Sequence, residues 1–189
     1  EEELPFPSIV ALDEKSAILH YEPKRRSDST NAQVMLCDAG FTVRGYAADL
    51  TRTHARDSAH PVFRELIDRV DRIKHHMAAV ASAGKSFKSL NEEAHDLIRE
   101  ALLETGVVRG SDDAMKENKI TTIFFPHGIG HLLGLQVHDV SGLFKDESGA
   151  LEPPPQEHKS LRLTRTLEEG MVYTIEPGIY FIPMLLNAE

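Results

Sequence analysis

Leu36-Cys37-Asp38-Ala39-Gly40, followed by Gly45-Tyr46-Ala47-Ala48-Asp49-Leu50-Thr51-Arg52-Thr53, is the stretch on which the fold turns. Gln33 to Phe41 and Gly45 to His54 read as two strands of one hairpin. A turn centred on Val43-Arg44 would set Asp38 opposite Asp49, with both side chains on one face. Opposed carboxylates among apolar neighbours (Leu36, Cys37, Ala47, Leu50) repel and resist burial, so a cation is their natural compensation. One exposed Asp and one turn-capping Asp is the alternative.

Upstream, Ser8 to Leu12 and Ala17 to His20 read as two short strands around the polar turn Asp13-Glu14-Lys15-Ser16, and residues 22–31 as an exposed loop. Downstream, Phe63, Leu66, Val70, Ile73, Met77 and Val80 step by three and four within residues 59–81, which predicts an amphipathic helix ended by Gly84. Ser89 with Glu92 has capping-box spacing, and Leu90, Ala94, Leu97, Ile98, Ala101 and Leu102 carry a second helix to Gly106. His75, His76 and His95 fall on these helices as solvated or half-buried residues. Val107 to Lys119 is polar and irregular, Ile120 to Phe125 leads into a glycine-rich segment, and residues 143–160 form an exposed loop. Met171 to Tyr180 returns to a strand pattern broken at Pro177-Gly178. The order of elements indicates an α+β fold with helices on one face of a largely antiparallel sheet.

The chain has 189 residues, of which 41% are apolar and 27% charged. That is ordinary globular usage and enough chain to bury a core. Acidic residues outnumber basic ones 30 to 21, for a formal charge of −9, and no basic cluster tracks a phosphate backbone, so nucleic acid is not the expected partner. No apolar run reaches the roughly 18 residues a membrane span requires, and Glu1-Glu2-Glu3 is unlike a signal-peptide opening, so a cytoplasmic location is expected. Cys37, the single cysteine, reads as a small core residue.

Two further segments carry chemistry. Pro126-His127-Gly128-Ile129-Gly130-His131, continuing to Val137-His138-Asp139, holds three histidines among glycines. The glycines oppose a helical zinc pair, whereas extended backbone would put His127 and His131 on one side, with glycines letting backbone approach metal or substrate. In Leu167 to Gly178, Glu176 shares a strand face with Val172 and Thr174 and stands at the strand end. Asp38, Asp49, His131 and Glu176 together offer three carboxylates, one imidazole and no thiolate, a set suited to Mn²⁺, Co²⁺ or Zn²⁺. Two such ions could share the carboxylates and hold a bridging hydroxide, which predicts hydrolysis.

Taken in order, Leu36 to Gly40, Gly45 to Thr53, His127 to His131, Val137 to Asp139 and Thr174 to Tyr180 resemble the metal-site motifs of the prolidase and aminopeptidase P family. The resemblance covers nearly the whole chain and is strongest to bacterial Xaa-Pro dipeptidases, whose relatives include enzymes acting on organophosphorus triesters. It implies the pita-bread fold, two divalent ions with Mn²⁺ first among them, and a small peptide substrate ending in proline. It also implies a homodimer of the full-length protein. By motif, Asp38, Asp49, His131 and Glu176 would ligate metal, Glu176 also serving as general base. His138 would steady the tetrahedral intermediate or move a proton, His127 would line the pocket, and His20 would contact substrate. Arg162 matches the prolidase arginine that grips the substrate carboxylate, with Arg165 close by as a competitor for that role.

The chain departs from the family in two ways. The fifth ligand, a Glu in a glycine-isoleucine/valine-arginine-isoleucine-glutamate motif, has no match, and Glu189 lacks that context. No amino-terminal domain precedes the catalytic one. Residues 1–189 are therefore expected to be a catalytic domain incomplete at its C-terminal end, with one metal position weakened. The alternatives are aminopeptidase P activity on longer peptides, or a metal-free pita-bread fragment serving as a binding module.

Overall fold

The computed structural model describes residues 3–22 and 31–186; most of the loop expected at 22–31, and Glu189, lie outside them. Three strands, β1 (Ile9–Leu12), β2 (Val34–Ala39) and β5 (Leu50–Ala55), make an antiparallel sheet with β2 in the middle. Between β2 and β5 stands a small hairpin, β3 (Thr42–Val43) with β4 (Tyr46–Ala47).

The hairpin turn is centred on Arg44-Gly45, not Val43-Arg44, and both turn residues have positive φ, 53° and 83°. Left-handed conformations at both central positions match the twist of a two-residue hairpin, which is where a glycine is most useful. The displaced turn moves the register by two residues. Asp38 faces Thr51, and Asp49 precedes β5 in the link from β4. An even shift preserves the face, so Ile9, Leu36, Asp38 and Thr51 still look the same way. Cys37, on the other face, is only half-buried instead of a core residue.

Ala17 to His20 is not a strand. Asp13–Ala17 is a 3₁₀ turn, and the Asp13 carboxylate accepts from the N–H groups of Gln33 (2.8 Å) and Val34 (2.9 Å), so it closes the start of β2 instead of a hairpin.

Two helices form the second layer. α1 (Pro61–Val80) starts with Pro61 behind a His60 cap and buries Leu66, Ile73 and Met77. α2 (Phe87–Glu104) begins three residues ahead of the expected boundary, so Ser89 lies inside its first turn and caps nothing. The first orphan donor, Phe87 N–H, is satisfied by the Arg165 carbonyl at 3.1 Å, a tertiary solution that replaces a side-chain cap. Phe87, Leu90, Ala94, Ile98 and Leu102 are at most 1% exposed and make the core with Leu161, Leu163 and Leu167. The polar stretch after α2 holds a short helix, α3 (Asp112–Glu117), capped by Ser111, and residues 121–124 form one more turn, α4 (Thr121–Phe124). A last turn, α5 (Pro183–Leu186), follows.

The strand pattern at 171–180 is realised as an irregular ladder against 129–133. Glu176 N–H donates to Ile129 (2.8 Å), Thr174 to His131 (2.9 Å), and Leu133 to Val172 (2.9 Å). Met171, Tyr173 and Ile175 turn to the core, as the alternation required. Ala47 N–H reaches across to the Gly134 carbonyl at 2.8 Å and ties the hairpin to this ladder. Among the described residues no helix is long and apolar enough to cross a membrane.

Candidate metal centre

The ladder and the sheet meet around one cavity of about 250 Å³. Its walls include Asp38 and Thr51 from the sheet, His20 from the loop after β1, His127, His131 and His138 from the glycine-rich segment, Arg162, Glu176 and Tyr180. Seven of the eight residues expected from sequence are therefore on its surface. The eighth, Asp49, meets His131 directly: Nε2 of His131 lies 3.3 Å from Asp49 Oδ2 and 3.0 Å from Glu176 Oε1.

The His131 ring is 4% exposed, and its Nδ1 lies 2.9 Å from the Leu132 carbonyl. A carbonyl can only accept, so Nδ1 carries the hydrogen and Nε2 is the atom offered to the carboxylates. Burial by itself disfavours the imidazolium. The hydrogen bonds to Asp49 and Glu176, with the charge of Glu176, outweigh it and lift His131 to about 10. A proton is thus strongly held between the two carboxylates. Burial raises Glu176, but His131 more than offsets this and leaves the carboxylate below its usual range.

Among the described residues one set of ligand atoms converges, from Asp49, His131 and Glu176, all within 4.8 Å of one another. Asp38 stands outside that tight set, on the adjoining wall. Its Oδ1 is buried without a partner among the described residues, and its pKa is raised by burial and by the charges of Asp49 and Glu176, against the pull of the Thr51 hydroxyl. An orphaned carboxylate oxygen beside a three-ligand cluster is the donor chemistry a divalent cation satisfies, so the residues fit a metal.

The glycines line the cavity and also pack closely against neighbouring parts of the chain. A Cβ on Gly130 would stand 2.1 Å from the Thr174 carbonyl oxygen, and one on Gly128 2.6 Å from Leu161. They let protein backbone close on protein backbone, which places His127 and His131. His138 is exposed to the cavity and stacks edge-on to His131, with centroids 4.4 Å apart. Burial, then the charges of His131 and Arg162, lower His138, and burial lowers His127. Both shifts favour the neutral ring. Arg162 is exposed on the cavity wall, whereas Arg165 is buried and bonds Glu168 at 2.6 Å. The two arginines thus differ in setting: Arg162 lines the cavity and Arg165 does not.

Four contributors lacked a sequence assignment. The Thr174 hydroxyl accepts from His131 N–H at 3.0 Å and donates to Glu176. Tyr180 donates to His127 at 2.9 Å, and Thr51 stands beside Asp38. Asn91 of α2 accepts from Ile129 N–H at 3.0 Å, midway between His127 and His131. Even spacing from Glu176 could have found Thr174 and Tyr180, which continue its strand face.

Residues 1–188 match metallopeptidase family M24. The chain belongs to that family. Its α+β arrangement is the M24 pita-bread fold. An Xaa-Pro dipeptidase of Stenotrophomonas maltophilia (strain K279a) is 45% identical over 185 residues, which cover 98% of this chain and 42% of the relative. An Xaa-Pro dipeptidase of Xanthomonas campestris pv. campestris (strain 8004) is 44% identical over the same coverage. The structure also superposes on zinc-substituted aminopeptidase P of Escherichia coli in complex with product, with a TM-score of 0.77 and 30% identity over 94% of this chain and 37% of that one. This M24 chain thus spans less than half the length of the relatives it matches.

Proposed function

We propose that residues 1–189 serve as the catalytic domain of a cytoplasmic Xaa-Pro dipeptidase, the full-length protein being a homodimer. The carrying observation is Nε2 of His131 held between Asp49 and Glu176 on the wall of a cavity that also bears Arg162. At about 250 Å³ the cavity lies below the roughly 300 to 1,000 Å³ usual for larger ligands, which suits a dipeptide.

Asp38, Asp49, His131 and Glu176 would hold two divalent ions, Mn²⁺ first, with Co²⁺ or Zn²⁺ as substitutes. Bound there, such ions polarise a carbonyl and make water nucleophilic at neutral pH. The chain's own groups do the rest. Glu176 would accept the proton of the attacking water at its carboxylate oxygen. His138, at the cavity surface, would take up that proton on its bare ring nitrogen and release it to the departing proline nitrogen, which leaves both Glu176 and His138 as they began. The Arg162 guanidinium presents a fork to the terminal carboxylate and selects dipeptides over longer peptides. His20 and His127 complete the walls around the substrate. The same centre would attack organophosphorus triesters as a side reaction.

The test compares an Xaa-Pro dipeptide with an Xaa-Pro tripeptide on Mn²⁺-loaded protein, before and after Arg162→Ala. Dipeptide preference that disappears in the variant supports the reading. Similarity to aminopeptidase P structures makes that activity the second reading, and an unchanged preference for the longer peptide would establish it instead. A chain that takes up no metal and cleaves neither peptide would be a binding module.

A further inference from the structure

His127 lines the cavity, yet both of its ring nitrogens are spent inside the protein. Nδ1 lies 2.9 Å from the Gly128 carbonyl, an acceptor, so Nδ1 carries the hydrogen. Nε2, then a bare lone pair, lies 2.9 Å from the Tyr180 hydroxyl, which must donate. The two rings also meet edge to face, with centroids 5.2 Å apart, and Phe125 closes the other side of the imidazole at 4.9 Å. Tyr180 is itself fixed by its N–H on the Phe124 carbonyl (2.8 Å) and by Gly178, whose Cα leaves no room for a side chain: a Cβ there would stand 3.1 Å from the hydroxyl.

We infer that Tyr180 is a positioning residue, which by donating to Nε2 locks His127 as the Nδ1–H tautomer in the cavity wall and presents its own phenol oxygen to the cavity as an acceptor. Because the proton of Tyr180 is committed to His127, the remaining lone pairs of the phenol can only receive. They face a region that Asp38 and Glu176 also make negative, and such a place attracts an N–H or ammonium donor. His127 is then a rigid wall with no proton to exchange, and proton transfer falls to Glu176 and His138. This last step rests on the dipeptidase reading; the tautomer does not.

The decisive measurement is nitrogen NMR of imidazoles in the metal-free protein at neutral pH, with His127 assigned by loss of its signals in His127→Gln. The expected spectrum has a protonated Nδ1 and a bare, hydrogen-bonded Nε2; in Tyr180→Phe, which keeps the ring and loses only the oxygen, His127 populates both tautomers. An Nε2–H tautomer or an imidazolium in the wild type, or a His127 signal unmoved by Tyr180→Phe, overturns the inference. On Mn²⁺-loaded protein, Tyr180→Phe should raise KM for an Xaa-Pro dipeptide about 3- to 10-fold and keep kcat within about twofold, the size of one lost hydrogen bond. An unchanged KM removes the acceptor role. Absence of any wild-type turnover defeats the dipeptidase reading and leaves the tautomer to decide this one; turnover with an unmoved tautomer does the reverse.

Discussion

Two histidines of nearly equal burial, His95 in α2 and His131 in the ladder, 5% and 4% exposed, behave in opposite ways. His95 sits among Phe125, His158 and the Thr121 hydroxyl, with no carboxylate in hydrogen-bonding reach among the described residues, and burial pushes it down to about 3. His131 faces two carboxylates and rises to about 10. Burial alone therefore does not decide what a histidine is for. The helical region uses a neutral ring as filling, and the cavity region builds a seat for positive charge.

The strongest way to break this contrast is to remove the seat. Asp49→Asn or Glu176→Gln should reduce metal content, measured by elemental analysis. Turnover of an Xaa-Pro dipeptide should fall by more than the roughly 10- to 100-fold typical of groups that only support a ligand. Retained metal and activity in both variants would show that His131 sits between bystanders.

Next in size is the helical side. Ile98→Ala, at 0% exposure, should lower unfolding stability by about 2 to 5 kcal/mol in a denaturant titration. The metal content of the folded fraction should be unchanged. Loss of metal in step with stability would mean that the two regions are not separable.

The acid side sharpens the comparison. His95 is neutral when folded and takes up a proton near its ordinary value of 6.5 when unfolded, so its contribution is whole above 6.5 and is lost as pH falls towards about 3. Between pH 6.5 and 5 this amounts to about 2 kcal/mol. Urea midpoints of wild type and His95→Gln, followed across that interval, should therefore converge as pH falls; parallel curves would contradict the assignment.

Smallest is the pair of arginines. Arg165→Ala, which strips a buried partner from Glu168, should cost about 1 kcal/mol of stability. It should not affect the dipeptide-over-tripeptide ratio, which Arg162→Ala is expected to change.

The helices were legible because their apolar residues repeat at helical spacing, and the cluster of Asp49, His131 and Glu176 because its carboxylates and imidazole fell in short motifs on extended backbone. The register was misread by two residues because the strands fit either pairing. What decides between them is the left-handed backbone of Arg44 and Gly45, of which only the glycine is a visible cue. His95 was expected to be solvated or half-buried, yet Asn91, His95 and Arg99 repeat every four residues and are all buried, at 0%, 5% and 7% exposed. A polar row flanking an apolar stripe looks like a solvated face until the segment that covers it, here Thr121 and Ile129, is known. Contacts such as Tyr180 with His127 join residues 53 positions apart, and no local period records them.

The single hydrogen bond from Ala47 to the Gly134 carbonyl has a consequence for how an ion would enter. It clasps the link that carries Asp49 onto the segment that carries His131, so the two sides of the chelate are joined by main chain before any guest arrives. An ion held between Asp49 and His131 would therefore require little further ordering of the chain on this side.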